Sequence, residues 1–354
     1  KLREKLNTSG LDAILVSQPE NRFYASGFTG SAGFLIISAD HALLATDFRY
    51  FEQSERQSPH FHLVKMQGKT PLEWLHEAIA LIKPKKLGFE ASNVTFSFYS
   101  AIKRDLLKIS SNQRPKLIST KNFVESLRII KGADEISAIN LAAEIADSAL
   151  NLVTPTIQPG MTERQVAWEM EKAMREAGAD NISFDTIVAS GPNGALPHHR
   201  PSGKTIQEGE PIVIDMGAKV NGYCSDITRT IIIGKPTDQL KKVYDTVLAA
   251  QLTAIETVES GMTGHQADEL ARNVIEKAGY GQNFGHSLGH GIGLAVHESP
   301  TVGPRAVGCL QKDMVFTIEP GIYIPGWGGV RIEDMVELDT DKVRVITKTP
   351  KPFV

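Results

Sequence analysis

Residues 214–230 read IDMGAKVNGYCSDITRT, and this stretch predicts a β-hairpin that brings two carboxylates to one place. The apolar run Pro211–Ile214, which leads into it, is typical of a buried strand. Asn221-Gly222 is typical of a two-residue type I′ turn, because both positions of such a turn need a positive φ. We therefore expect the chain to fold back here, with one aspartate on each strand.

A two-residue loop sets the register of this hairpin. Asp215 then lies opposite Thr228, and Asp226 lies opposite Gly217, where the missing side chain leaves space. The two aspartates become diagonal neighbours on one face, with Cα atoms roughly 7–8 Å apart. In an ordinary pair of acids one is solvated and the other caps a turn. Burial of unpaired carboxylates is costly, so the apolar flanks favour a shared cation.

A second candidate segment is rich in histidine and glycine. Asn283–Glu298 holds His286, His290 and His297 among four glycines. Glycines of this density indicate a place where backbone approaches another group closely. A single histidine is more often a structural hydrogen-bonding residue, but three within this segment make a metal ligand an equal alternative.

Two glutamates complete the set. The apolar run Met314–Ile318 ends on Glu319, and a glycine-rich turn, Gly326–Gly329, leads to a strand in which Arg331 and Glu333 share a face. An ion pair between Arg331 and Glu333 would explain the second acid without a metal. It leaves Glu319 unexplained.

Charge counting favours a dinuclear centre. Four carboxylates and one neutral imidazole carry a charge that two divalent cations balance. Oxygen ligands with one histidine suit Mn²⁺ first, with Co²⁺ or Zn²⁺ as alternatives. Two ions about 3.5–4 Å apart can activate a water and polarise a scissile carbonyl, so we expect a hydrolase that cuts peptide bonds.

The rest of the chain predicts two domains. Residues 1–121 alternate short apolar strands with helical spacing, which indicates an α/β domain that ends after the polar stretch Ser110–Pro115. The predicted strands are Leu11–Val16, Phe34–Ser38, Ala42–Thr46, Phe61–Val64 and Lys86–Phe89, and the predicted helices are Thr70–Ile82 and Phe96–Lys108.

Residues 122–354 carry signs of an internal duplication. Pro159–Thr162 is similar to Ser260–Thr263, and each lies between two predicted helices. Thr162 with Gln165 has the spacing of a capping box. The predicted helices begin at Asp134, at Thr162 (to about Gly178), at Thr237 (to Glu259) and at His265 (to Ala278).

Composition excludes some partners. The 354 residues carry a formal net charge of -3, without the basic surplus that nucleic acid or an anionic membrane would need. The apolar runs are too short to span a bilayer, and no signal peptide is visible at the start. Two cysteines form no disulfide framework, so a reducing cytoplasmic setting is expected.

These motifs resemble the pita-bread metallopeptidases, which include aminopeptidase P, prolidase and methionine aminopeptidase. The resemblance covers residues 122–354 and rests on residues 214–230, on GHGIGLAVHE (289–298), on TIEPGIY (317–323) and on VRIED (330–334). It implies an α/β (α+β) fold class, with a catalytic domain of two αβ halves related by a pseudo-twofold axis.

The resemblance also implies roles for the five ligands. Asp215 would bind one ion, and His290 with Glu319 would bind the other. Asp226 and Glu333 would bridge the two ions. Glu319 would also carry protons during catalysis.

Six further residues receive roles from the same resemblance. His198 would contact the substrate, and His297 would support the developing oxyanion. Four residues would line the substrate site or support the ligands: His286, Tyr323, Arg331 and Thr228.

The N-terminal part narrows the family. Asn21, Tyr24, Gly27–Gly33 and Thr46–Tyr50 look like the creatinase-type N-terminal domain of aminopeptidase P. Prolidases and creatinase share that domain, and methionine aminopeptidases generally lack it. The resemblance also implies a homodimer.

The expected activity is therefore hydrolysis of the N-terminal Xaa-Pro bond of peptides, as in aminopeptidase P. The alternative is a prolidase that acts on Xaa-Pro dipeptides and needs a cation for their carboxylate. Arg331 is a poor candidate because Glu333 is expected to engage it, and Arg200 is left open. More distant alternatives are a creatinase-like C–N hydrolase, which lacks the metal-binding acids, and a non-catalytic pita-bread binding module, which has lost ligands.

Overall fold

The computed structural model describes residues 1–67, 72–340 and 342–351. The chain divides into two compact units, Lys1–Arg128 and Ile129–Val354. The predicted boundary near residue 121 falls just before the short helix that ends the first unit, and it stays a prediction.

The first unit is a mixed six-stranded sheet with helices. Its order is β4-β3-β2-β1-β5-β6, and the β1–β2 and β2–β3 pairs are antiparallel. The elements are α1 (Leu2–Ser9), β1 (Ala13–Val16), α2 (Pro19–Ser26), β2 (Phe34–Ser38), β3 (Ala42–Thr46), α3 (Phe51–Gln57), β4 (His62–Lys65), α4 (Glu73–Ile82), β5 (Lys86–Glu90), α5 (Phe96–Leu106), β6 (Lys116–Thr120) and α6 (Glu125–Arg128).

The sequence pattern located all of these strands except β6. Strand β6 follows the polar stretch that was expected to end the sheet, and it pairs in parallel with β5. Helix α4 begins at Glu73, whereas the predicted helix began at Thr70, which lies outside the described residues. Helices α1 and α2 were not predicted, because each is eight residues long and has only one or two buried residues.

The second unit contains the same arrangement of a helix pair and a sheet twice. Its elements are α7 (Ala133–Val153), α8 (Glu163–Glu176), β7 (Asn181–Ile182), β8 (Ile187–Ser190), β9 (Pro211–Met216), β10 (Ala218–Val220), β11 (Tyr223–Cys224), β12 (Ile227–Ile232), α9 (Asp238–Thr257), α10 (Gly264–Lys277), β13 (Gly289–Gly291), β14 (Glu298–Val302), β15 (Val315–Ile318), β16 (Gly321–Ile324), β17 (Gly328–Arg331), β18 (Asp334–Leu338) and β19 (Val343–Val345).

In the first half α7 and α8 pack on the sheet β12-β9-β8, and in the second α9 and α10 pack on a sheet that contains β13-β15-β18. Thr162 and Thr263 each cap the second helix of their half with a complete capping box. The glycines two positions earlier have φ of 92° and 95°. The predicted duplication is therefore present in the backbone.

The hairpin has the predicted register. Asn221 and Gly222 have φ of 49° and 84°, as a type I′ turn requires, and Asp215 pairs with Thr228. The expectation of open space at Gly217 is wrong, because a Cβ there would lie 1.9 Å from the carbonyl oxygen of Ser225. Gly217 is needed for close backbone approach.

One helical segment, Ala133–Thr156, is long and apolar enough to cross a membrane by length and composition alone. Half of its most apolar window is buried within the protein, and core helices pass the same test. The buried residues of α7, such as Ile139 and Leu150, belong to the hydrophobic core of the second unit.

Candidate metal centre

The acids and the histidine lie within strands of the second unit or directly beside them. Asp215 is the fifth residue of β9, and Asp226 directly precedes β12. Their counterparts in the other half are Glu319, directly after β15, and Glu333, directly before β18. His290 is the middle residue of β13. Each half therefore contributes two carboxylates from equivalent strands.

Their functional atoms converge. Asp226, His290 and Glu333 each offer a ligand atom, and these atoms lie within 4.8 Å of one another. His290 Nε2 is 3.3 Å from Glu319 Oε1 and 3.7 Å from Asp226 Oδ2. Asp215 Oδ1 is buried without a hydrogen-bond partner among the described residues. A buried carboxylate oxygen without a hydrogen-bond partner fits the role of a metal ligand.

Ten of the eleven predicted site residues line one cavity of about 500 Å³. The exception is Thr228, which is fully buried behind the cavity and donates a hydrogen bond to Glu333 Oε2 at 2.6 Å. The ten lining residues are His198, Asp215, Asp226, His286, His290, His297, Glu319, Tyr323, Arg331 and Glu333.

The carboxylates repel one another strongly. Burial raises the pKa of Glu319 to about 8, with Asp215 adding repulsion that Arg331 opposes. Burial and the charges of the neighbouring acids hold the pKa of Asp226 and the pKa of Glu333 well above their ordinary values. A divalent cation would relieve this repulsion, so the side chains fit a metal centre.

His290 has the properties of a neutral candidate ligand. Burial, together with the nearby His297, lowers its pKa to about 4. Its Nδ1 lies 3.1 Å from the carbonyl oxygen of Gly291, which can only accept, so Nδ1 carries the proton. The lone pair of Nε2 is left facing the acids. The ring of His297 lies 4.1 Å from the ring of His290, centroid to centroid.

Arg331 is the cation that reaches this cluster. Its Nη2 donates to Asp215 Oδ2 at 2.7 Å, its Nε donates to Thr228 Oγ1 at 3.0 Å, and its Nη1 donates to the Tyr323 hydroxyl at 2.9 Å. The hydroxyl oxygen of Tyr323 in turn lies 2.9 Å from His286 Nε2. The expected pairing of Arg331 with Glu333 is wrong, because Arg331 forms its ion pair with Asp215.

Thr317 was missed by the sequence reasoning. Its hydroxyl donates to Glu319 Oε1 at 3.1 Å and accepts from the His290 backbone N–H at 3.1 Å, so it links two candidate ligands. The available signal was a polar residue in an otherwise apolar strand, two positions before Glu319. Because side chains alternate along a strand, residues two positions apart point to the same face, which is the spacing of Thr317 and Glu319.

The fold and this cluster define a metallopeptidase of the pita-bread type. Residues 137–340 match the model of metallopeptidase family M24, and residues 1–130 match that of the Creatinase/Prolidase N-terminal domain. The chain belongs to metallopeptidase family M24. The predicted resemblance, fold class and enzyme class are confirmed, and membership implies use of divalent metal.

The relatives that match along nearly the whole chain include proteins named Xaa-Pro dipeptidase and a protein named X-Pro aminopeptidase. The Xaa-Pro dipeptidase of Pyrococcus horikoshii is 38% identical over 355 residues, which cover 100% of this chain and 97% of that protein. A solved Xaa-Pro dipeptidase from Bacillus anthracis is 43% identical with a TM-score of 0.95, covering 100% and 97%. A solved X-Pro aminopeptidase from Thermotoga maritima is 38% identical with a TM-score of 0.89, covering 99% of each chain.

We expect the metal-free protein to lose thermal stability as the pH rises from about 4.5 to about 8. Glu319 has an ordinary pKa of 4.5 but about 8 in the fold, so the unfolded chain releases its proton first and gains relative stability over that window. Melting temperatures of chelator-treated protein across this pH range would measure the loss. Glu319→Gln should flatten the profile, and an unchanged slope in that variant would contradict the assignment.

Proposed function

We propose that this chain is a dinuclear Xaa-Pro peptidase and that Xaa-Pro dipeptides are its preferred substrates. The observation that carries the metal part is the convergence of four carboxylates and one neutral imidazole, with Arg331 as the cation that contacts them. The substrate class rests on full-length relatives named for the Xaa-Pro bond.

The ligand assignment follows the resemblance. Asp215 would hold one ion, His290 and Glu319 the other, and Asp226 and Glu333 both. Mn²⁺ is the proposed ion because oxygen ligands predominate, with Co²⁺ or Zn²⁺ as alternatives. When bound, such ions supply Lewis-acid activation of water and of the scissile carbonyl.

The side chains supply proton transfer and orientation. Glu319 would take the proton of the attacking water and deliver it to the proline nitrogen, which must leave as an amine. The pKa of about 8 belongs to the metal-free site, and a bound cation would lower it, so that Glu319 could accept a proton as a carboxylate. His297 would donate a hydrogen bond to the developing oxyanion, and His198 would hold the substrate.

Arg200 favours the dipeptidase over the aminopeptidase P type that the N-terminal motifs suggested. Its exposed side chain lines the cavity, and no hydrogen bond or ion pair engages it among the described residues. Arg331 is committed to Asp215. Arg200 is thus a cation open to the carboxylate of a dipeptide. Aminopeptidase P activity is the second candidate, which the Thermotoga maritima neighbour supports.

Other parts of the proposal rest on the resemblance and on composition. These are the homodimer, the cytoplasmic location and the absence of nucleic-acid and membrane partners.

Asp226→Asn should lower turnover by at least about 10³-fold, because a bridging carboxylate would orient both ions. The measurements are the Xaa-Pro turnover number and the metal content per chain by elemental analysis. Near-normal turnover in a variant without bound metal would exclude the dinuclear mechanism.

His198→Ala and His297→Ala should each cost roughly 10²–10³ in turnover while the metal content is unchanged, because both act on substrate. Metal content and turnover are measured on the same preparations. Loss of metal together with activity would instead make the altered histidine a ligand.

Arg200→Gln should raise KM for an Xaa-Pro dipeptide by about tenfold, in line with the loss of one charge-assisted contact. The same variant should leave KM for the matching Xaa-Pro amide unchanged, because that substrate lacks the carboxylate. Arg175→Gln is the control, since Arg175 is exposed on α8 and does not line the cavity. A wild-type preference above tenfold for Xaa-Pro-Yaa over Xaa-Pro would make aminopeptidase P the correct description.

A further inference from the structure

The segment 196–202 carries two proposed substrate contacts but has no regular secondary structure. It follows a 3₁₀ turn at Gly191–Ala195 and contains His198 and Arg200, both exposed at the cavity. Among the described residues, a long hydrogen bond of 3.4 Å joins the segment to β17, from Arg331 Nη1 to the Pro197 carbonyl oxygen. At its other end the Ser202 carbonyl oxygen accepts from the backbone N–H of Arg164 at 3.2 Å. Something else must hold this segment in place.

Glu163, the first residue of α8, supplies that hold. Its side chain is fully buried. Oε2 accepts from His199 Nε2 at 2.9 Å and from the backbone N–H and hydroxyl of Ser202 at 3.0 and 2.7 Å. Oε1 accepts from the backbone N–H and hydroxyl of Ser190 and from Asn193 Nδ2, each at 2.9 Å. The two oxygens thus fix both ends of the stretch that contains His198.

These bonds keep Glu163 ionised. Burial alone would raise the pKa of this carboxyl, but the hydrogen bonds from Ser202, Ser190, Asn193 and His199 outweigh it and lower the pKa to about 2. A charged acceptor makes stronger hydrogen bonds than a neutral one. The hydrogen bonds by which Glu163 anchors the segment therefore keep a charged acceptor at every pH used for an ordinary assay.

The second half of the unit indicates that Glu163 is not needed to start a helix. There the capping box of Thr263 begins α10 with Gly264 as its first residue, and Gly264 has no side chain. Likewise Thr162 and Gln165 already cap α8. The Glu163 carboxylate is therefore not part of the arrangement that the two halves share. It belongs only to the half that carries His198.

We propose that Glu163 is a positioning residue, which acts through His199 and Ser202 to aim His198 and Arg200 at the bound substrate. This inference rests on the proposed function. Glu163 itself does not line the cavity. It restricts the conformational freedom of residues 196–202 before the substrate binds. This lowers the entropy cost of reaching the reactive arrangement.

The test is a double-mutant cycle between Glu163→Gln and His198→Ala, with kcat and KM measured on an Xaa-Pro amide, which lacks the carboxylate that Arg200 would bind. In the wild-type background Glu163→Gln should lower kcat/KM by about 10–10²-fold, because the segment loses its charged acceptor. In the His198→Ala background the same change should cost less than about threefold, because coupled residues are not additive. Equal losses in both backgrounds would overturn the proposal.

Glu90→Gln is the matched control. Glu90 is a buried glutamate of the first unit that likewise accepts two backbone N–H groups, one hydroxyl and one side-chain amide. It should change the melting temperature without any coupling to His198. Ser202→Ala, which removes a single hydroxyl bond to Glu163, is the milder variant if Glu163→Gln does not fold, and it should show the same coupling.

Hydrogen–deuterium exchange separates this inference from the proposed function, because it needs no turnover. In Glu163→Gln the amides of residues 196–204 should exchange at least about tenfold faster, whereas those of α9 should not change. Unchanged exchange at 196–204 would refute the anchor even if the enzyme is active. A wild-type protein that cleaves no Xaa-Pro peptide, but shows the faster exchange in the variant, would refute the function alone.

Discussion

Mutual repulsion of buried carboxylates is the constraint on which the catalytic unit depends. Asp215, Asp226, Glu319 and Glu333 share one small volume, and the raised pKa values of Asp226, Glu319 and Glu333 record the cost. Arg331 offsets part of it through Asp215. The structure holds that guanidinium with Thr228 and the Tyr323 hydroxyl, so the cation sits beside the acids and leaves the central space open. Divalent metal completes the balance.

Two glutamates of the same unit, Glu163 fully buried and Glu319 partly buried, illustrate how the surroundings decide what a carboxylate does. Glu163 has six hydrogen-bond donors and a pKa near 2, so it is satisfied by the protein. Among the residues that the structure describes, Glu319 accepts one hydrogen bond, from Thr317, and burial raises its pKa to about 8. The first has no need of a cation, and the second does. Composition and spacing alone do not distinguish them.

What the sequence predicts correctly here is local. The Asn221-Gly222 turn sets its own register, so the pairing of Asp215 with Thr228 followed from turn chemistry. The partner of Arg331 did not, because the alternation argument assumed one strand through residue 333. Strand β17 ends at Arg331, and β18 begins at Asp334, so the chain changes sheets between the two residues.

Non-local contacts account for the other misses. The 196–202 segment is held by Glu163, and no periodicity connects residues 39 positions apart in sequence. Strand β6 lies beyond a polar stretch that resembles a domain exit, and only its pairing with β5 reveals it. Gly217 looked like open space because the hairpin pattern does not show how closely Ser225 approaches.

The duplicated helix pairs with their capping threonines carry an implication for the ancestry of this unit. One half provides Asp215 and Asp226, and the other provides His290, Glu319 and Glu333. Neither half alone carries all five proposed ligands. A chain of half this length would bring four carboxylates together only by pairing with a second copy of itself, and the repeated backbone of the two halves fits a fusion of two such copies.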